Sequence, residues 1–551
     1  MKKLLQIMLI AVISFSLFSC GGNKEEEQQG EEKTAIEQKL DKYATVELKA
    51  DISHLTDAEK QILPLLFDAA SIMEELYWMQ TIGDKEAFLN AIEDENVKKF
   101  AMINFGPWDR LDGNAPFIEE YGEKPAGAQF YPEDMTKEEF EALEDENKTS
   151  LYTIIQRGDN NELVVKWYHE VYADKLQKAS DLLAQAAEIC EDPIFKKYLE
   201  LRSKALITDE YQESDFAWMD MKDSESNLDF VVGAIENYED ALYGYKAAFE
   251  SFILLKDKEW SAKLARFNDM LPELQKNLPV DAKYLKDKPG SDSDINAYEV
   301  IFYAGDCNAG SKTIAINLPN DAEVHKTRGS RKFQLKNAMK AKFDMILFPI
   351  SEILIDESQQ ANVKFNAFFE NVMFHEVAHG MGVKYVVGNP KLTCREALAE
   401  TYSTVEEAKA DILGLYLVTQ LHEQGELTEG EVLDNYVTFI AGIFRSIRFG
   451  ASSSHGKANL ITYNFFAEKE AFSRSEEGIY TINLEKAKIA VVDLVAAIIS
   501  LQGDGDKDAT QAFIDKYLHT PESLEADLNK ISESNIPVDI VFDQGKEKFG
   551  L

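Results

Sequence analysis

The sequence predicts a mainly helical α+β chain folded as two lobes. Three observations carry this. Long segments place apolar residues every three or four positions, and only a few β-branched runs are scattered between them. The chain also has 551 residues with 45% apolar content, a size at which one core gives way to two or more.

Taken in order, the pattern from Thr56 to Phe105 is helical, with Leu63, Leu65, Leu66, Ile72, Leu76 and Trp78 forming apolar stripes. Residues 106–135 are rich in Gly, Pro and aromatics and read as irregular, after which Thr136 and Glu139 offer a capping box for the next helix. The runs Tyr152–Arg157 and Leu163–Tyr168 flank the turn Gly158-Asp159-Asn160-Asn161 and predict a hairpin. A helix over Lys175–Cys190 is followed by another reaching Leu206. Asp192 is placed to cap the second, and Pro193 sits at its first position, where the missing donor costs nothing. Strand-like runs at Tyr298–Tyr303 and Thr313–Leu318 enclose Gly-rich residues 305–310, and an apolar run, Met345–Leu354, leads on to a helix marked by Phe365, Phe368, Phe369, Val372 and Met373. Gly380 and Gly382 loosen its end. The remainder is helical until a last strand over Ile536–Phe542, and no internal repeat is found.

A formal charge of −40, with no basic patch interleaved with aromatics, excludes nucleic acid as a partner because such a surface repels phosphate backbones. Met1-Lys2-Lys3 is a short positive start, Leu4 to Phe18 is apolar but too short to span a bilayer, and Leu17-Phe18-Ser19-Cys20 resembles a bacterial lipobox. The expectation is a signal peptide over 1–20, a mature chain lipidated at Cys20, and an acidic, hydrated tether over 21–40. The address would be the bacterial cell envelope, anchored to the outer membrane on its periplasmic or surface face. Cys190, Cys307 and Cys394 remain, an odd number without paired spacing, so no disulfide framework or zinc finger is expected.

The chemistry concentrates at His375-Glu376-Val377-Ala378-His379. Four residues apart on a helix, both imidazoles leave the same face and can grip one tetrahedral ion, with Glu376 beside them to work on water. A third ligand must come from elsewhere, and Glu407 is the natural candidate, in its own apolar helix from Val405 to Leu421. Asp411 lies one turn beyond, placed to take the free N–H of a ligating histidine, and neighbouring Glu406 is assigned the same supporting role. Zinc, one ion per chain, is the favoured metal.

With these residues in view, the chain resembles the dipeptidyl peptidase III family of zinc exopeptidases, in a short form with a five-residue rather than six-residue metal motif. The resemblance runs over ordered blocks from about Tyr152 onward. Besides the two metal motifs, with Lys409 in the basic slot of the second, it rests on His455 in Ser454-His455-Gly456-Lys457-Ala458. It also rests on Arg202 to Tyr211, Ser214 to Trp218, Gly233-Ala-Ile-Glu236-Asn-Tyr238, Phe249-Glu250 and Asn317-Leu318-Pro319-Asn320. Asn459 stands where the family often has an arginine.

The resemblance implies two lobes separated by a wide cleft, one a helical zinc lobe and the other containing a small β-barrel. The substrate lobe would comprise roughly 41–250 and 300–345 with the strand near 536–542, and the zinc lobe roughly 251–299 and 346–530. A peptide would lie in the cleft as an added strand. His455 and Tyr238 would donate hydrogen bonds to the carbonyl oxygen as charge builds there; Tyr238 is read on an Asp/Glu-rich helix. Glu236, Glu250, Asn317 and Asn320 would hold the ammonium of an oligopeptide, so that dipeptides leave from its N-terminus. Two other readings stay open: a zinc hydrolase of this fold with other peptide specificity, and a surface lipoprotein that captures peptides uncut. Glu376 speaks against the second, since a pure binder needs no base beside a metal.

Overall fold

The computed structural model describes residues 33–287 and 293–551. The expected signal peptide, Cys20 and the expected tether as far as residue 32 lie outside these residues. The expected tether overran the folded chain, because α1 (Ala35–Leu40) already begins behind Thr34. Thr34 Oγ1 accepts from the Glu37 N–H while Glu37 Oε2 accepts from the Thr34 N–H, a capping box hidden in a Glu-rich run.

After β1 (Tyr43–Glu47) comes α2 (Asp57–Thr81), started by a second capping box, Thr56 with Glu59. It buries Leu63, Leu66, Met73, Leu76 and Trp78. The hairpin pairs β2 (Thr153–Arg157) with β3 (Leu163–Trp167) in antiparallel register. Two helices follow, α3 (Ala173–Ile189) and α4 (Pro193–Leu206), and Asp192 Oδ1 accepts from the first-turn N–H groups of Ile194 and Phe195 at 3.0 and 2.7 Å.

The central sheet is built from β4 (Leu228–Glu236) and β5 (Ala248–Lys256), then, beyond α5 (Lys258–Lys276), from β6 (Ser293–Gly305), β7 (Ala315–Leu318) and β8 (Ser330–Leu335). Its order is β4-β5-β6-β8-β7, with β8 parallel to β6 and the other pairs antiparallel. β4 and β5 are buried along most of their length on both faces, Asp229, Glu250 and Ser251 included. Among the described residues no ladder joins the edges β4 and β7. The sheet nevertheless curls toward closure, since Asn320, just past β7, donates to the Ile235 carbonyl of β4 at 3.1 Å. Arg331 of β8 is fully buried, pairs with Asp229 of β4 at 2.7 Å and stacks on Trp218, pinning the strands across the curl.

Two cores result. One gathers Leu48 to Leu255 with Tyr298 to Ala338 around the sheet and α2. The other gathers Trp260 to Leu278 and, from Met339 to Ile531, the helical remainder. That remainder includes α6 (Phe365–His379), α7 (Tyr402–Glu423), α8 (Val432–Ile447), α9 (Ser454–Glu468) and α10 (Leu484–Asp504), and the run 345–354 is helical as well. The chain finally returns to the first lobe, where β9 (Asp539–Asp543) pairs parallel with β1. Arg448 at the end of α8 holds this crossing by donating to the Pro537 and Val538 carbonyls at 2.6 and 2.9 Å. No helix among the described residues is long and apolar enough to cross a membrane.

Candidate active site

Helices α6 and α7 cross at the predicted metal motifs. One turn apart on α6, His375 and His379 turn their Nε2 atoms to each other at 3.2 Å. From α7, Glu407 Oε2 stands 3.5 Å from His375 Nε2 and 3.7 Å from His379 Nε2. Ligands ~2.0–2.1 Å from a tetrahedral zinc lie about 3.4 Å from one another, so this triangle of donors has the size the ion needs.

The crossing is close because Gly414, seven residues past Glu407 and hence on the same face of α7, lies against the backbone of α6. A Cβ at Gly414 would come within 2.8 Å of the His375 nitrogen and 2.9 Å of the Phe374 carbonyl carbon.

Each imidazole is held from behind by a carboxylate of α7: His375 Nδ1 meets Asp411 Oδ1 at 2.7 Å, and His379 Nδ1 meets Glu406 Oε1 at 2.9 Å. A proton on each Nδ1 satisfies these contacts and leaves the Nε2 lone pairs facing inward, the arrangement a metal requires. Glu406 in turn accepts from Gln502 Nε2 at 2.8 Å and Tyr402 OH at 3.1 Å and pairs with Lys409 at 2.8 Å. Burial opposes its charge, but Lys409 and His379 prevail and hold its pKa down at about 2. Asn459 donates both to Asp411 Oδ2 and to the His455 carbonyl, each at 3.0 Å, tying α9 to the support of His375.

The electrostatics ask for a cation. Burial disfavours a charged His375, yet Asp411, Glu407 and Glu376 raise its pKa to about 10. Glu407 is likewise held well below the ordinary carboxylate range, since His375 and His455 outweigh its burial. Its Oε2 is buried without a hydrogen bond, and three imidazole nitrogens stand 3.1 to 3.7 Å away. Two imidazoles and a carboxylate around an otherwise orphaned oxygen suit zinc. His375, Glu407 and His455 also cluster within 4.8 Å. His379 is the better third donor, because Glu406 orients it while the His455 side chain is 63% exposed with Nδ1 turned to Glu407 at 3.1 Å.

Glu376 faces the other lobe, where Lys332 Nζ of β8 lies 3.5 Å from its Oε2. On that lobe β4 bulges between Ala234 and Glu236, which re-aims Glu236 and leaves the Ile235 carbonyl free for Asn320. Burial raises the pKa of Glu236, and burial together with Asp306 and Glu236 raises that of Glu250 further. Glu250 sits in register with Gly233 and Gly305, and Asn317 lies on the outer strand β7, accepting from Ser330 Oγ at 2.6 Å.

Tyr238 departs from expectation. It lies in the loop after β4, not on a helix, and is 80% exposed. The acidic stretch turns because Asp240 accepts the backbone N–H groups of Leu242, Tyr243 and Tyr245. Lys332, Gly414, Tyr402 and Gln502 escaped sequence reading. A glycine two turns past Glu407 in an apolar helix was a readable sign of a close crossing, whereas Lys332 and Gln502 carried none.

The model of Peptidase family M49 matches residues 132–391, which include both histidines of α6. A solved structure of DPP III from Caldithrix abyssi superposes with a TM-score of 0.86 at 38% identity, covering 93% of this chain and 99% of that one. Dipeptidyl-peptidase III from Corallococcus sp. strain EGB gives 0.72 at 33% identity, over 92% and 96%. A protein named Nudix hydrolase 3 from Arabidopsis thaliana is 35% identical over 92% of this chain and 73% of its own length. Dipeptidyl peptidase 3 from Dictyostelium discoideum is 27% identical over 68% of this chain and 59% of its own. The two solved structures, matched over nearly their whole length, carry the assignment: the chain belongs to peptidase family M49, the dipeptidyl peptidase III family of metallopeptidases.

Proposed function

We propose that this chain is a zinc-dependent exopeptidase releasing dipeptides from the N-terminus of oligopeptides. The observation that carries the reading is the meeting of His375 Nε2, His379 Nε2 and Glu407 Oε2 within 3.7 Å of one another, with Glu376 alongside. Zinc held there would polarise the substrate carbonyl and bring the pKa of a water to about 7. Glu376 takes a proton from the attacking water and passes it to the leaving amine. Asp411 and Glu406 keep the imidazole protons on Nδ1. His455, and Tyr238 from its loop, donate to the oxygen on which charge builds.

On the sheet side, the peptide extends along β7, an edge strand with no further strand beside it among the described residues. Its ammonium settles among Glu236, Glu250, Asn317 and Asn320. Burial raises the pKa of both Glu236 and Glu250, and an ammonium placed between them would favour their charged forms. Held two residues from the cut, it makes the product a dipeptide.

The test couples metal analysis to mass spectrometry of products from a peptide mixture. The parent is expected to hold one zinc per chain and shed N-terminal dipeptides. Glu376→Ala is expected to keep zinc and lose about 10²–10⁴-fold in turnover. Protein that holds zinc yet leaves dipeptidyl chromogenic substrates and short peptides untouched would refute the proposal.

The same proposal includes anchorage in the bacterial envelope through lipid on Cys20, supported by Leu17-Phe18-Ser19-Cys20 behind a short apolar run. Cys20→Ala is expected to move the protein out of the membrane fraction and abolish labelling by a fatty-acid analogue.

A further inference from the structure

We infer that a compact inorganic oxyanion of the phosphate or sulfate class binds where the two lobes join, against the guanidinium groups of Arg445 and Arg448 at the end of α8. The inference is independent of the chemistry at the metal group. Arg445 and Arg448 stand three residues apart at the helix end and so share one face. Arg448 is only 8% exposed and gives one nitrogen to the Pro537 and Val538 carbonyls. Its Nε is nevertheless buried without a hydrogen bond, and so is the Nε of Arg445.

Asp539, the first residue of β9, is the carboxylate whose charge reaches both arginines, and its oxygens are already taken. Oδ1 accepts from the Ile540 N–H at 2.8 Å and pairs with Lys342 Nζ at 2.9 Å. Oδ2 accepts from the same Nζ at 3.1 Å and from Ser311 Oγ. Buried Lys312 draws on the same carboxylate, with Glu74 beyond it. Asp539 is thus asked to neutralise more positive charge than it can, in a chain whose formal charge is −40.

Burial lowers the pKa of Arg445, Arg448 and Lys342, and Asp539 does not make up the loss. Burial opposes the charge of Arg110 too, but there Glu239 prevails and the pKa rises. An arginine does not shed its proton in a protein, so the deficit calls for a counter-ion. The last carbonyls of α8 supply only about half a charge. A guanidinium fork meets two oxygens of an oxyanion at once, which favours such an ion over a halide. The pair is also open to solvent: Arg445 is half-buried, and Phe449, whose ring centre lies 4.5 Å from the Arg448 guanidinium, is 65% exposed. An ion bound there ties α8 of the helical lobe to β9 of the sheet lobe.

The experiment is equilibrium dialysis of the full chain against radiolabelled sulfate, at neutral pH and fixed ionic strength, on zinc-loaded and metal-free protein alike. One sulfate per chain is expected in both, displaced by inorganic phosphate more readily than by chloride. Arg445→Met is expected to lose about tenfold to a hundredfold in affinity, the weight of one hydrogen bond to a charged group, and Arg445→Lys to recover part of it. Asp539→Asn removes the competing carboxylate and is expected to bind sulfate more tightly than the parent, a gain that damage to the fold would not produce. No saturable binding by the parent, binding that requires zinc, or equal affinity in parent and Arg445→Met overturns the proposal. Displacement by chloride as readily as by phosphate overturns the oxyanion assignment.

Discussion

Replacing Gly414 by alanine tests whether the metal site is set by the distance between two helices. An added Cβ would lie 2.8 Å from the His375 nitrogen, about 0.6 Å inside ordinary van der Waals contact near 3.4 Å. The atoms it meets are backbone, so no side chain can swing away and α7 must shift against α6. Such overpacking typically costs 1–3 kcal/mol, against about 1 kcal/mol gained from the better helix former. The net change in stability is therefore small, no more than about 2 kcal/mol of loss. The metal is less forgiving, because a site tolerates errors of only about 0.2 Å and Glu407 rides on the displaced helix. Gly414→Ala is expected to lose at least tenfold in zinc affinity, measured against a competing chelator, with a melting temperature of the metal-free protein near the parent's. A variant about 1 kcal/mol more stable that binds zinc as tightly as the parent would refute the reasoning, since propensity alone would then explain the position.

Asp411→Ala removes both the acceptor of His375 Nδ1 and the anchor of Asn459; zinc affinity is expected to fall 10–100-fold in the same chelator assay. Lys246 gives a pH signature away from the metal, since burial outweighs Asp240 and lowers its pKa from 10.5 to about 8. Between about pH 8 and 10.5 the unfolded chain then holds more protons than the folded one, so stability rises with pH across that window, by at most about 3 kcal/mol. Lys246→Met should abolish that rise in urea denaturation at the two ends of the window, at the cost of leaving the Lys148 and Ser150 carbonyls and Thr153 Oγ1 without their donor.

What could be read from the chain was whatever local chemistry determines. The pairing of His375 with His379 follows from helical spacing, and the capping box at Thr136 and the cap at Asp192 follow from the needs of a first turn. Glu407 and Asp411 were legible because acidic residues in an apolar helix demand a reason. The same local logic misled at Tyr238, where acidic residues suggested a helix but Asp240 folded the backbone into a turn. It also stopped short at Thr34, whose capping box was masked by surrounding glutamates. Contacts made by crossing elements stayed invisible: Gln502 reaches Glu406 from α10, and Lys332 reaches Glu376 from the other lobe.

The economy of the site lies in α7. Glu406, Glu407 and Asp411 on that one helix supply a ligand and both of the carboxylates that orient the ligands of α6. Two helices and their one close crossing therefore specify the metal donors, while the residues assigned to substrate stand on the other lobe's sheet. Metal affinity and substrate choice should separate accordingly. Substitutions along the α6–α7 crossing move zinc binding, those on the sheet move substrate binding, and Lys332 brings a charge of one lobe to within 3.5 Å of Glu376 Oε2, the base of the other.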